Sequence, residues 1–88
     1  MTFDDRFVSR EYWYSLGLEV ETGRYYLSIP VSSGHVDYEE FYEIDQAAFD
    51  RFREEPSAGG EFAEACRRRE MDRVLFYPPW VVDRGTGV

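Results

Sequence analysis

Apolar and polar residues alternate along most of the first half of the chain. From Glu11 to Glu21, Tyr12, Tyr14, Leu16, Leu18 and Val20 alternate with Trp13, Ser15, Gly17 and Glu19, the period of two that predicts a half-buried strand. Gly17 in such a run marks a bulge or a close approach by a neighbour. Thr22-Gly23 supplies a tight turn, and Tyr25, Leu27, Ile29 and Val31 then alternate between Arg24 and Ser32, so the two runs predict a hairpin. Pro30 has no N–H for a ladder, which places its strand at a sheet edge there or at a bulge. Ser32-Ser33-Gly34 makes the next turn. A third strand follows from Val36 to Ile44, with Val36, Tyr38, Tyr42 and Ile44 on one face and Asp37, Glu39, Phe41 and Glu43 on the other. Glu40 is the one residue that breaks the apolar row.

The period then changes. Asp45 reads as a helix N-cap, and Ile44 and Phe49 occupy the two positions of a hydrophobic staple around it. Ala48, Phe49 and Phe52 share a helical face within Gln46 to Glu55, and Pro56 ends the element because it disfavours helical geometry at the residue before it. Ser57 to Gly60 reads as a flexible break, followed by a second helix from Glu61 to Glu70 with Phe62, Ala65, Cys66 and Arg69 at helical spacing. Val74-Leu75-Phe76-Tyr77 within Asp72 to Tyr77 predicts a last strand, stopped by Pro78-Pro79. Trp80-Val81-Val82 is expected to pack back on the core. The layout is β-β-β-α-α-β, an α+β fold with an antiparallel sheet of about four strands and two helices on one face. The domain spans residues 1–82, with 83–88 as a flexible tail.

At 88 residues the chain supports one domain and a thin core. Its 7 Tyr, 7 Phe and 2 Trp compensate, since each ring buries on the order of 150 to 250 Å². The net charge is −8, which opposes binding to phosphate backbones and anionic headgroups. The acidity is concentrated toward the N-terminus, with three Arg against nine acids up to Ile44 and seven against nine beyond it. All ten basic residues are Arg, which reflects either codon usage or the bidentate pairing of guanidinium with carboxylates.

Candidate chemistry is sparse. Cys66 is the one cysteine, so neither an internal disulfide nor a thiolate zinc site can form, and its place beside Phe62 predicts a small buried hydrophobe. His35, the one histidine, sits in a turn without companion ligands or a nucleophile, so a plain turn histidine is the expectation over a catalytic base or metal ligand. Arg67, Arg68 and Arg69 point in three directions around a helix end and suit its macrodipole or intramolecular pairing better than one phosphate cradle. No phosphate-binding glycine loop or nucleophile elbow is present. Neither an enzyme activity nor a cofactor or metal is therefore expected. The polar, acidic N-terminus and the absence of a long apolar run point to a cytoplasmic protein with no membrane partner.

What remains is the interleaving of acids and rings between Gly34 and Asp45. Asp37, Glu39 and Glu43 repeat along one strand face at about 6.5 to 7 Å, with Phe41 among them and Glu40 between Tyr38 and Tyr42. The bland explanation is a solvated face whose charges discourage edge pairing. The alternative is a contact surface, since interface centres favour aromatic residues and acids steer cationic partners. Asp37, Tyr38, Glu39, Glu40, Phe41, Tyr42 and Glu43 are the candidate partner-binding residues.

The run Tyr25-Tyr26-Leu27-Ser28-Ile29-Pro30-Val31-Ser32 followed by Val36-Asp37-Tyr38-Glu39-Glu40-Phe41-Tyr42-Glu43-Ile44 resembles a segment of small bacterial proteins of uncharacterised function. It covers roughly the middle quarter of the chain and brings no catalytic residue with it. In size, acidity and lack of a catalytic motif, the chain is similar in class to bacterial toxin immunity proteins. That resemblance implies an inhibitor that occludes a basic surface on a cognate toxin domain, without direct contact to nucleic acid. The alternative expectation is a self-associating accessory subunit, a homodimer joined through an open sheet edge.

Overall fold

The structure, a computed structural model, describes residues 1–76. Strands β1 (Phe3–Ser9), β2 (Tyr14–Glu19), β3 (Arg24–Ser33) and β4 (Val36–Ile44) pair antiparallel in chain order, followed by helices α1 (Gln46–Glu54) and α2 (Pro56–Arg67) and a 3-10 turn, Asp72–Val74. The four-stranded antiparallel sheet, the two helices on one of its faces and the α+β class are those the alternation predicts. Expectations for Tyr77, for Trp80-Val81-Val82 and for the tail from Asp83 to Val88 lie outside the described residues.

The elements differ from expectation at three places. The fourth strand is β1, at the N-terminal end, whereas the Val74–Phe76 region contributes a single bridge from Leu75 to Tyr42 and one backbone bond from Phe76 N to Phe41 O at 2.9 Å. In β1 the register shifts between Asp5 and Phe7, a bulge that sends Phe3 and Phe7 to opposite faces and hides the strand's alternation. The second difference is at Arg10 to Trp13, which form a turn, so that β2 begins only at Tyr14; Trp13 takes a positive φ of 57°. Arg67 holds that turn to α2 by donating to the carbonyls of Tyr12 at 3.2 Å and Trp13 at 2.6 Å.

The third difference is α2, which starts at Pro56 and runs through the segment expected to be a flexible break. Pro56 suits the first helical turn, where its missing N–H costs nothing. Gly59 and Gly60, poor helix formers, are buried because the sheet needs the space: a Cβ on Gly59 would lie 2.3 Å from the Tyr14 hydroxyl, and one on Gly60 would lie 2.6 Å from the Tyr12 ring. Tertiary packing overrides helix propensity here. The start of α1 follows the sequence closely, with Asp45 Oδ1 accepting from Ala48 N at 2.8 Å and Ile44 and Phe49 both in the core.

The core lies between the sheet and the helices, where Tyr14, Leu16, Leu27, Ile29, Tyr42 and Ile44 meet Phe49, Phe52, Ala63 and Cys66. Three of the largest fully buried side chains are Tyr14, Tyr26 and Tyr42, and each hydroxyl has a partner, as a phenol removed from water requires. Tyr14 donates to the Phe52 and Pro56 carbonyls at 3.1 and 2.9 Å, Tyr26 to Asp5, and Tyr42 to Glu40 at 2.8 Å. Burial, reinforced by Tyr12, pushes the Tyr14 phenol up to about 12.

Glu19 ties the N-terminus to this sheet. It is fully buried, and its carboxylate accepts from Thr22 Oγ1 at 2.6 Å, Thr2 N at 2.7 Å, Thr22 N at 2.9 Å and Glu21 N at 3.2 Å. The Thr22 hydroxyl and these backbone amides outweigh the effect of burial and hold the carboxyl down at about 2. The same residue thus closes the β2–β3 turn and fixes the strand that carries Phe3.

Candidate functional site

Pairing register assigns the sheet faces. Tyr25, Leu27, Ile29 and Val31 of β3 lie opposite Ile44, Tyr42, Glu40 and Tyr38 of β4 and face the helices, while Tyr26, Ser28, Pro30 and Ser32 lie opposite Glu43, Phe41, Glu39 and Asp37 on the other face. Neither helix covers that second face. The two rows are those the alternation assigns.

At the centre of the open face is an aromatic cluster. Phe3 reaches from β1 to stack on Phe41 of β4, with ring centroids 3.8 Å apart, and Tyr26 meets both rings edge-on at 5.2 and 5.1 Å. Phe76 stands edge-on to Phe3 at 5.3 Å, under the guanidinium of Arg24 at 4.4 Å. Gly17 makes room for this crossing: a Cβ there would lie 2.2 Å from the Asp4 carbonyl and 2.4 Å from the Tyr26 hydroxyl.

Carboxylates surround the rings, and neutral hydroxyls hold most of them. Tyr26 donates to Asp5, Ser28 to Glu39 at 3.0 Å and Ser32 to Asp37 at 2.7 Å. A hydroxyl fixes a carboxylate's position without cancelling its charge, so these three remain net anionic. Glu43 is the exception, paired with Arg24 at 3.0 Å. The Tyr26 phenol is pushed above its ordinary range by burial, by its bond to Asp5 and by the negative charges of Asp5, Glu39 and Asp4, and it therefore stays a donor.

Two of the expected contact residues turn inward. Tyr42, expected on the contact surface, is 0% exposed and belongs to the core, because the helices cover the second half of β4. Glu40 lies on the helix side, where its side chain, 10% exposed, accepts from Arg69 at 2.6 Å and from Tyr42. Glu40 holds the Arg69 guanidinium above its usual range, aided by Tyr42 and Asp72 and opposed by burial. The remaining five, Asp37, Tyr38, Glu39, Phe41 and Glu43, keep some exposure, with Tyr38 at 43%.

The first half of β4 projects beyond the helices. β2 pairs with β3 only as far as Ser28, so Ile29–Ser33 and Val36–Glu40 form a two-stranded arm, and Val36 is 58% exposed. Among the described residues, Pro30 thus sits where β3 has no neighbour on the β2 side, the edge position its missing N–H calls for. His35 is exposed at the turn of this arm. It is not among the residues lining the grooves beside α1, one bounded by Asp50, Arg53 and Glu54 and one by Arg6, Leu18, Tyr25, Gln46, Phe49, Asp50 and Arg53.

Cys66 is buried, and burial, with Glu40 and Asp72 reinforcing and Arg67 and Arg69 opposing, pushes its thiol up to about 12. Among the described residues no group of His, Cys, Asp and Glu is arranged to hold a metal ion, and no helix is long and apolar enough to cross a membrane. Comparison of the chain with protein-family models, curated proteins and solved structures gives no match.

Sequence reasoning missed Phe3 and Asp5 as parts of the open face. No spacing signal marks Phe3 and Asp5, because the bulge between Asp5 and Phe7 breaks the strand's period. Nothing local in the sequence joins them to Phe41, two strands away.

Proposed function

We propose that this protein is a small acidic protein-binding module, most concretely an immunity-type inhibitor that covers a basic surface of a cognate bacterial toxin enzyme. The observation that carries the reading is the sheet face opposite the helices, where Asp5, Asp37 and Glu39 are held by hydroxyls around the Phe3, Tyr26 and Phe41 rings. Fixed carboxylates lose little conformational freedom on binding, which leaves more of the contact energy for affinity. Their uncancelled charge speeds encounter with a cationic partner, and the half-buried Phe3 and Phe41 rings, backed by the fully buried Tyr26, supply the apolar centre that interfaces favour. Tyr38 lies on the opposite side of the arm, so this surface does not include it. No step in this reading requires catalysis or a cofactor.

Capture from a lysate of the native host tests it, with the wild-type chain compared against the double substitution Asp37→Asn and Glu39→Gln. The expected result is a basic protein retained by the wild type at low salt and lost by the variant. Equal retention by both, or recovery of no basic protein, would sink the proposal.

A further inference from the structure

Among the described residues, the backbone edge of β4 beside this face is only half used. Phe76 N donates to Phe41 O, so the carbonyl of Phe41 points away from β3. In an antiparallel ladder residues two apart share that sense, and β3–β4 pair from Ser33↔Val36 to Tyr25↔Ile44 without a register shift. The amides and carbonyls of Asp37 and Glu39 therefore also point outward. Among the described residues nothing pairs with them, the Leu75 bridge at Tyr42 being the last contact along that edge.

The side chains flanking this edge differ by face. Val36 and Tyr38, both exposed, lie on the helix side, and Asp37 and Glu39 on the open side. A strand added here would set alternate residues against an apolar pair and an acidic pair. A second copy of β4 fits poorly, because its own acids would stand opposite Asp37 and Glu39, and like charges directly across a ladder destabilise it.

We propose that the Val36–Glu40 edge of β4 accepts an extended segment of the partner by strand addition, and that this segment alternates basic and apolar residues. Main-chain hydrogen bonds to Asp37 and Glu39 supply affinity, and the alternation supplies selectivity. This rests on the basic-partner reading above and names the binding mode within it.

The test titrates the full chain with synthetic peptides of about ten residues, the length of a long strand. One alternates Arg and Val, one scrambles the same composition, and one repeats the alternating sequence with N-methyl groups on every second amide; calorimetry and amide NMR read the result. The alternating peptide is expected to bind at least about tenfold more tightly than the other two, given main-chain pairing, and to slow exchange of the Asp37 and Glu39 amides. Substituting Glu39→Pro removes an outward N–H without touching the β3 ladder, and is expected to abolish the preference; the N-methyl peptide gives the same answer if that variant fails to fold. Equal binding of all three peptides, with shifts at Phe3 and Phe41 and none at the Asp37 and Glu39 amides, would overturn strand addition and leave the basic-partner reading standing. No binding by any peptide, or Asp37 and Glu39 amides already protected in the free chain, would also overturn it, while the host capture decides the wider reading separately.

Discussion

Arg69 Nη1 lies 2.6 Å from Glu40 Oε1, joining the one acid of β4's helix-facing row to the segment just after α2. Glu40 also accepts from the buried Tyr42 hydroxyl, and Arg69 reaches on to Asp72 at 3.3 Å. The cluster holds the chain after α2 against β4. Arg69 adopts a φ of 63°, an unfavourable geometry for a residue with a Cβ, which the surrounding contacts together have to offset.

Replacing Glu40 by Gln is expected to destabilise the fold by about 1 to 3 kcal/mol, because Tyr42 and Arg69 both lose a charged acceptor. Urea melts of the two single variants Glu40→Gln and Arg69→Gln and of the double variant are expected to give a coupling energy of about 0.5 to 3 kcal/mol, as for residues in one network. Additive effects would mean that the pair forms only weakly in solution.

Glycine substitutions separate steric from backbone effects. Gly17→Ala places a methyl within 2.4 Å of the Tyr26 hydroxyl and closer still to the Asp4 carbonyl, and is expected to cost about 1 to 3 kcal/mol or more, as overpacking does. Gly23 has a φ of 74° and nothing within 4 Å, so Gly23→Ala is expected to cost only about 1 to 2 kcal/mol of left-handed backbone strain. Chemical denaturation ranks the two.

Glu19 predicts an acid transition. Folding lowers its carboxyl from 4.5 to about 2, so the folded state binds its proton less readily than the unfolded chain. The stabilisation is complete above pH 4.5 and is lost progressively as pH falls to about 2, the direction linkage requires for a depressed acid. Thermal melts of Glu19→Gln are expected to lie below those of the wild type at neutral pH and to converge with them toward the acid end of that window.

Cys66 provides a probe of global opening. Buried and with its thiol held up at about 12, it is expected to stay unmodified by a thiol-specific reagent in mildly alkaline buffer, since only the exposed thiolate reacts. Modification should track the fraction unfolded as urea is added. Fast labelling of the native protein would show that α2 opens locally.

The faces of β4 were legible because nine residues alternate with one interruption, but alternation gives a face and not a depth. Tyr42 and Tyr38 occupy the same row, and only the helices' reach over the sheet buries the first and leaves the second exposed. β1 escaped notice because its bulge breaks the period and acids fill Asp4 and Asp5. The start of α2 was obscured by Gly59 and Gly60, chosen for contact with Tyr14 and Tyr12 and not for helix propensity. Glu19 looks like any polar strand residue, and its role emerges only when Thr2 is brought beside it. Glu40's partner is 29 residues away, beyond the reach of any local pattern.

Asp37 and Glu39 lie at the surface and are held by single hydroxyls, so Asp37→Asn with Glu39→Gln is expected to change stability by less than about 0.5 kcal/mol per site. Loss of binding by that variant would then report on the surface and not on the fold. The central claim, that the sheet face opposite the helices meets a basic partner, is tested most directly by amide hydrogen exchange on the chain alone and in complex with the captured protein. Slowed exchange concentrated in β4 and in Phe3 to Asp5, with α1 and α2 unchanged, is the predicted result; protection confined to the helices, with β4 unaffected, would contradict it.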